Sequence, residues 1–493
     1  MWHLSRHCSG KHHFHAIALV TIHEPWGADR VGTSMSSHIE FRKLAAELDG
    51  PAFLPGEPGY DAECATYNLL TPLRPAIAVG AATVGDVRAA VRFAGDHKLA
   101  VAVRGGGHMQ PYTAEGAVLI TLDRLADVTV DGGRRTARVT GGARWEEVID
   151  AASKEGLAPM SGSSTTVGAI GYVLGGGQSP IFGRPYGYAS DHVTSFDIVT
   201  ADGVLRTVSA GAEPELFAAL RGGKGNFGVV TAMEIELFPV TSVLAGGIYF
   251  PGSATGEVLR AWRDWAATLP EQATTSVAVQ RLPPVEELPE PLRGAHVVHL
   301  RYAYLGPAET GLELLAPMRA AAPALIDTIA EAPYKTAAVL HNDPVGAMPY
   351  QDRSLGLAGL PDKALDKLAE LLGPGTPIPL TSVELRALGG ALDRPPATPD
   401  SVPSRGLPFQ FFGFAVGGDD LDELGRRLDR LFTAMRPWAD PKHRRMLNFL
   451  SPEEALDPQS LREVYGAENY DRLLAVKRRF DPNTMFRMNH TLR

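Results

Sequence analysis

The chain has 493 residues, too many for one ordinary core, so two domains or one large interleaved domain are expected. Hydrophobic residues make up 44% and charged residues 21%, an ordinary globular composition. The net charge of −9, from 47 basic and 56 acidic residues without a basic stripe, argues against nucleic acid or an anionic membrane surface as partner. No apolar run approaches the roughly 20 residues that span a bilayer.

Residues 1–34 carry six histidines before Trp26. They offer a metal-binding tract or, on the plainer reading, a disordered extension before Met35, without the long apolar region and cleavage site of a secretory signal. Two cysteines, Cys8 and Cys64, make neither a disulfide framework nor a zinc site; a single bridge between them is the most they allow. Such cysteine usage fits a cytoplasmic protein. An amphipathic helix is expected over 35–49, with Phe41, Leu44 and Leu48 at helical spacing. Strand, helix and strand follow over 76–79, 84–97 and 99–103. A hairpin turns at Asp131-Gly132-Gly133, a helix runs over 144–154, and a second hairpin turns at Asp202-Gly203. From about residue 244 helices (256–269, 311–322, 363–372, 420–435) alternate with strands such as "HVVHLRYAYL" and "QFFGFAV". The pattern is α+β throughout, with a second, substrate-binding domain in the latter part.

Three glycine-rich loops interrupt it. "VAVRGGGHMQPYT" follows a short strand, "SGSSTTVGAIGYVLGGGQSPIFGRPYGYASD" reads as a long loop over 161–191, and "LRGGKGNFGVVT" leads into a strand. Glycine lets backbone approach a diphosphate closely, and successive amides then hold the anion. None of the three is a Walker A loop, and the Gly223, Gly225, Gly228 spacing precedes a strand where a dinucleotide fingerprint would precede a helix.

The order of these loops, with "LLAVKRRFDPNTMF" near the end, closely resembles the flavoprotein oxidases of the vanillyl-alcohol oxidase type, and among them the berberine-bridge-like group of bacterial natural-product pathways. The resemblance covers about residues 54–489. It implies a two-domain PCMH-type fold: an FAD-binding domain over 35–242, a substrate domain of antiparallel sheet and helices over 243–440, and a segment, 441–493, that returns to the first. In such proteins the first loop wraps FAD, here Arg104, Gly105, Gly106, Gly107, His108 and Met109, and the histidine matching His108 bonds to the flavin 8α-methyl. Many relatives add a cysteine bond within a Gly-x-Cys-Pro-Thr-Val-Gly segment. Here that segment is Gly162-Ser163-Ser164-Thr165-Thr166-Val167-Gly168, so Ser164 replaces the cysteine and one link through His108 is expected. Thr166, Val167, Gly168, Gly171 and Tyr172 are expected beside the ring and diphosphate, Val230 at the adenine, and Asn489 at the flavin or its ribityl chain. Lys477 is expected to be structural.

Relatives place a tyrosine after an asparagine on a late strand over the flavin. "RRMLNFL" puts Phe449 there, removing the phenolate. Glu384 is then the expected proton acceptor, its pKa raised by an apolar setting, unless it pairs with an arginine such as Arg386 or Arg394. Tyr112 and Tyr350 are the further catalytic candidates, each with the plainer role of pocket wall. His192 carries no assignment, and no metal-ligand spacing is present. The resemblance implies hydride transfer from a small secondary metabolite to FAD, with O2 as acceptor. Two other readings remain: an oxygenase or cyclase acting on a polyketide-like substrate, and a flavin carrier without catalysis, which Phe449 would suit. No sequence feature specifies an oligomeric state.

Overall fold

The structure is a computed structural model that describes residues 35–109, 112–376, 380–417, 420–455 and 457–493. The histidine-rich extension and Cys8 lie outside the described residues; Cys64 is a buried free thiol. A helix, Met35–Glu47, comes first. The chain divides after Lys43, and the sheets and the cavity belong to the unit Leu44–Arg493.

β1 (Ala52–Phe53), β2 (Ile77–Gly80), β3 (Val101–Arg104) and β4 (Val118–Thr121) form a small sheet in the order β1–β2–β4–β3. β4 pairs in parallel with β2 and β3. Parallel strands are covered on both faces, which is why these read as apolar runs without alternation. The helix Val84–Asp96 makes the crossover between β2 and β3. Thr83 starts it: its hydroxyl accepts from the Asp86 amide, and the Asp86 carboxylate accepts from the Thr83 amide, satisfying two N–H groups that the first turn leaves free. β3 ends at Arg104, so the glycines 105–107 leave the sheet at the carboxyl end of its parallel strands.

The second sheet is antiparallel: β5 (Val128–Asp131), β6 (Thr136–Thr140), β7 (Val193–Val199), β8 (Leu205–Val208) and β9 (Val229–Glu236), in the order β5–β6–β9–β7–β8. The segment 161–191, expected as one loop, contains the helix Ala169–Leu174 and a short turn of helix, Gly183–Tyr186. Ala169, Ile170, Tyr172, Val173 and Leu174 are all buried, and their packing outweighs the helix cost of Gly171, about 1 kcal/mol.

β10 (Ser242–Pro251), β11 (Ala273–Arg281), β12 (His296–Tyr304), β13 (Ile326–Asp327), β14 (Ala330–Pro333), β15 (Tyr350–Leu357), β16 (Ser382–Ala387) and β17 (Phe409–Val416) form the large antiparallel sheet. Its central path runs β10–β12–β11–β16–β17–β15. Side chains alternate between its faces. Val277, Val279, Leu300, Leu385 and Phe411 pack with Trp262, Leu315, Leu365 and Leu431 of four helices, Thr255–Ala266, Ala308–Arg319, Asp362–Leu372 and Leu421–Met435. Each such side chain contributes about 1.5–3 kcal/mol by leaving water. The opposite face carries Ser276, Arg301, Ser382, Glu384, Arg386, Gln410 and Asp352, polar yet buried.

The end of the chain returns to the first half. After the helix Ala467–Phe480, the Val101 amide donates to the Met485 carbonyl at 3.0 Å. Lys477 is buried; its Nζ donates to the carbonyls of Asn226 (2.8 Å) and Phe486 (2.9 Å) and pairs with Asp481 (2.7 Å). It is a structural residue, as expected. "RRMLNFL" is not a strand: Leu447–Phe449 is one 3₁₀ turn. Asn448 turns its amide to the Tyr172 carbonyl (3.0 Å) and accepts from the Gly177 amide (3.1 Å), side-chain bonds that compete with a strand ladder. Among the described residues no helix is long and apolar enough to cross a membrane.

Candidate active site

The glycine loops and the polar face of the large sheet enclose a cavity of about 560 Å3, within the range of small-ligand sites. One wall is backbone. A Cβ on Gly106 would lie 2.5 Å from the Gly168 nitrogen, so the first two loops touch main chain to main chain. Gly107 holds φ at +69°, a conformation that L side chains rarely adopt. Arg144 ties the loops together, its Nη1 donating to the carbonyls of Thr166 (2.6 Å) and Gly106 (3.4 Å).

Gly105, Gly106, Gly107, His108, Met109, Gly162, Ser163, Ser164, Val167, Gly168, Gly171, Tyr172, Val230 and Asn489 all line this cavity. Two expected residues do not. Arg104 points behind the loop, where Nη2 donates to the Glu63 carbonyl (3.1 Å) and to Asp123 (2.7 Å); an alternating strand carries its last side chain away from the loop it feeds. Thr166 offers its carbonyl to Arg144 and its hydroxyl to Ser164 at 3.0 Å. Tyr112 lies outside the lining as well. Tyr350 is in it, and its hydroxyl donates to the His108 carbonyl at 3.4 Å. His192 pairs with Glu236, away from the cavity.

His108 is crowded enough that burial presses its pKa down to about 4, against the pull of Asp343, so its imidazole is neutral. The Tyr67 ring stacks on it with centroids 4.2 Å apart. Four buried polar atoms of lining residues, the Tyr172 hydroxyl, Asn489 Oδ1 and the Nε of Arg301 and Arg386, have no hydrogen-bond partner among the described residues, and the first two belong to the loop and tail beside the glycines. A wall of glycine backbone beside unpaired polar atoms suits the diphosphate and the polar ring edge of the flavin dinucleotide that the resemblance implies. The residues present therefore fit FAD.

Glu384 faces the cavity, but its expected raised pKa is overturned. Burial does push the carboxyl up; Arg386 (3.0 Å) and Arg301 (2.9 Å), with His341 at 3.2 Å, outweigh it and hold Glu384 well below the usual carboxylate range. The sheet register explains this. Arg386 stands two residues along β16, and Arg301 and Arg386 both flank Ser276 of β11, one step from the row of Glu384. Arg394, the other partner weighed, pairs with Glu271 instead.

A carboxylate with the expected property stands two strands away. Asp352, 3% exposed on β15, also lines the cavity. Burial, reinforced by the charges of Glu454 and Glu453, pushes it up to about 7. Period-2 reading of "YQDRSLGL" would have placed Tyr350, Asp352 and Ser354 on one face. Lys224, in the third glycine loop, lines the cavity too, its pKa lowered by burial to about 8. Phe449 forms wall beside Phe412 (5.0 Å between ring centroids), with the Arg386 guanidinium 4.6 Å from its ring centroid.

Comparison with known proteins agrees with this architecture. The family model for an FAD binding domain matches residues 75–209, and the berberine and berberine-like model matches residues 447–493. The chain is 30% identical over 476 residues to (R)-6-hydroxynicotine oxidase of Paenarthrobacter nicotinovorans, covering 91% of this chain and 98% of that protein. It is 26% identical over 455 residues to the xylooligosaccharide oxidase of Thermothelomyces thermophilus, covering 86% and 88%. The crystal structure of 6-hydroxy-D-nicotine oxidase from Arthrobacter nicotinovorans superposes with a TM-score of 0.76 at 26% identity, covering 90% of this chain and 98% of that one.

Proposed function

The chain belongs to the berberine-bridge-like FAD-linked oxidases of the vanillyl-alcohol oxidase superfamily, and from that premise we propose that it oxidises a compact secondary metabolite, with FAD carried on His108 alone and Asp352 as proton acceptor. It is an FAD-dependent oxidase. The chemistry that FAD supplies when bound is acceptance of a hydride, with dioxygen as the acceptor of the electrons.

The rest falls to the chain's own side chains. Neutral His108 is the nucleophile suited to the flavin methyl. Ser164 is engaged with Thr166 at 3.0 Å, and an alcohol oxygen is a poor substitute for thiolate, so a second link is not expected. Asp352, poised near pH 7, takes the proton of a substrate O–H or N–H as its neighbouring carbon gives up hydride. Glu384 cannot share that work: bound by two guanidiniums, it is too weak a base, and it fixes the charge of Arg301 and Arg386 instead. Phe412, Phe414, Phe449 and Tyr350 supply aromatic wall that excludes water and favours a flat or ring-bearing alcohol or amine. One named relative acts on 6-hydroxynicotine and another on xylooligosaccharides; the aromatic wall favours a compact heterocycle of the former kind.

The observation that carries this reading is the raised pKa of a carboxylate, Asp352, in the lining of the cavity that the glycine loops also form. The test is anaerobic bleaching of the flavin by a panel of cyclic alcohols and amines, followed by hydrogen peroxide detection in air. Bleaching by the wild type should strengthen as pH rises through about 7, because the acceptor must be ionised. An Asp352→Asn protein that bleaches as fast as wild type at every pH would sink the assignment.

A further inference from the structure

His108 is held by two chain segments distant in sequence. The first is residues 67–69, the second residues 342–350. The Tyr67 amide donates to the Gly107 carbonyl (3.0 Å), directly beside His108, and the Met348 amide donates to the Tyr67 carbonyl (3.0 Å). The Leu69 amide returns to the Met348 carbonyl (3.1 Å), and Asn68 Nδ2 donates to the Tyr350 carbonyl (3.0 Å). Tyr67 is thus fixed at its backbone, and its hydroxyl is fixed too, donating to the Pro344 carbonyl at 2.8 Å. Its ring lies over the imidazole at 4.2 Å with 25° between the planes. Asp343, from the same strap, lines the cavity with His108 and accepts from Ser163 Oγ at 2.6 Å. Its charge acts on His108 in the direction that favours a positive imidazole.

Nothing in the oxidation of substrate calls for this arrangement, since His108 moves no proton there. Joining the flavin does. Resting on the reading that FAD is carried on His108, we propose that Tyr67 and Asp343 are positioning residues for that attachment: Tyr67 sets the plane of the imidazole, and Asp343 offsets the positive charge the ring acquires as its lone pair attacks. The new bond joins a ring nitrogen to the 8α carbon. One C–H of the methyl and one N–H of the imidazole break, both leaving as protons. The two electrons remain in the isoalloxazine as its reduced form until dioxygen, the acceptor of the oxidase reaction, takes them with two protons to give hydrogen peroxide. A ring free to rotate would present its nitrogen to the methyl only part of the time, and a developing cation in a dry cavity is costly without a nearby carboxylate.

The test reads attachment and leaves turnover aside. Wild type, Tyr67→Phe, Tyr67→Ala, Asp343→Asn and His108→Ala are purified as full chains. Total bound flavin is measured by absorbance, and the share that stays on the polypeptide is measured after acid precipitation. Wild type and Tyr67→Phe, which keeps the stacked ring, should retain nearly all of it. Tyr67→Ala and Asp343→Asn should bind flavin yet retain about a tenth or less of the wild-type share. Wild-type retention in both variants overturns the proposal. If Tyr67→Ala binds no flavin, Asp343→Asn decides alone by the same criterion. Free FAD released from wild type, or acid-stable flavin on His108→Ala, overturns the attachment reading itself, a result recognisable because it appears in the controls.

Discussion

One wall of the cavity is main chain, from residues 105–107 and 168, and the other is side chain, from Asp352, Glu384, Arg301 and Arg386 on the large sheet. The first wall tolerates almost no change, because backbone lies against backbone; it suits a partner that stays the same in every turnover. The second presents charges and rings whose identity can change without moving the sheet, and it suits whatever enters and leaves. The two carboxylates of that second wall differ again. Glu384 is pinned in its ionised form by two arginines, while Asp352, in an equally buried position, is left close to neutrality. Burial alone therefore does not decide ionisation; the cations placed by the sheet register do.

The comparison can be broken most decisively at Asp352. Its replacement by Asn should lower kcat by about 10²–10⁴-fold and remove the rise in kcat/KM through pH 7, with the flavin spectrum unchanged. Next comes Glu384→Ala, which leaves Arg301 and Arg386 buried and unpaired. Denaturant unfolding should show a loss of about 3–5 kcal/mol. Because the folded pKa of Glu384 is depressed, its contribution is present above the unfolded value near 4.3 and disappears as pH falls below it. The stability gap between wild type and variant should therefore narrow in acid.

On the backbone wall, Gly106→Ala should cost about 1–3 kcal/mol by forcing the two loops apart, and the ratio of flavin to protein should fall with it. Unaltered flavin content would show that the loops do not need their close contact. The smallest effect is expected from Glu454→Gln. Glu454 helps to raise Asp352, so removing its charge should move the pH limb downward. A shift upward would mean that Asp352 answers to other charges.

The backbone wall was legible in the sequence because glycine has few other reasons to cluster, and the family resemblance named His108, Val167, Gly168, Tyr172 and Asn489, all of which line the cavity. The side-chain wall was not. Asp352, Arg301 and Tyr67 come from three separate parts of the chain, and only strand register and the 67–69 strap bring them to the cavity. Glu384 was legible as a position, yet its ionisation depends on Arg301, 83 residues away in sequence. Arg104 and Thr166 show the opposite error: both sit in the right motif, yet the Arg104 side chain turns to Glu63 and Asp123 and the Thr166 hydroxyl to Ser164, and neither residue lines the cavity. The Asn448 turn was expected as a strand because relatives place one there, while the bonds of Asn448 to the Tyr172 and Gly177 backbone are invisible in sequence.

The returning tail also has a consequence for the order of events during synthesis. Met488, Asn489 and His490 form part of the cavity wall that His108 also lines, and they are anchored by Asn226 and the buried Lys477. A nascent chain thus carries its histidine and its glycine loops long before the last piece of wall is translated. The cofactor meets a finished site only after the ribosome has passed residue 490, and a chain stalled before that point should emerge colourless.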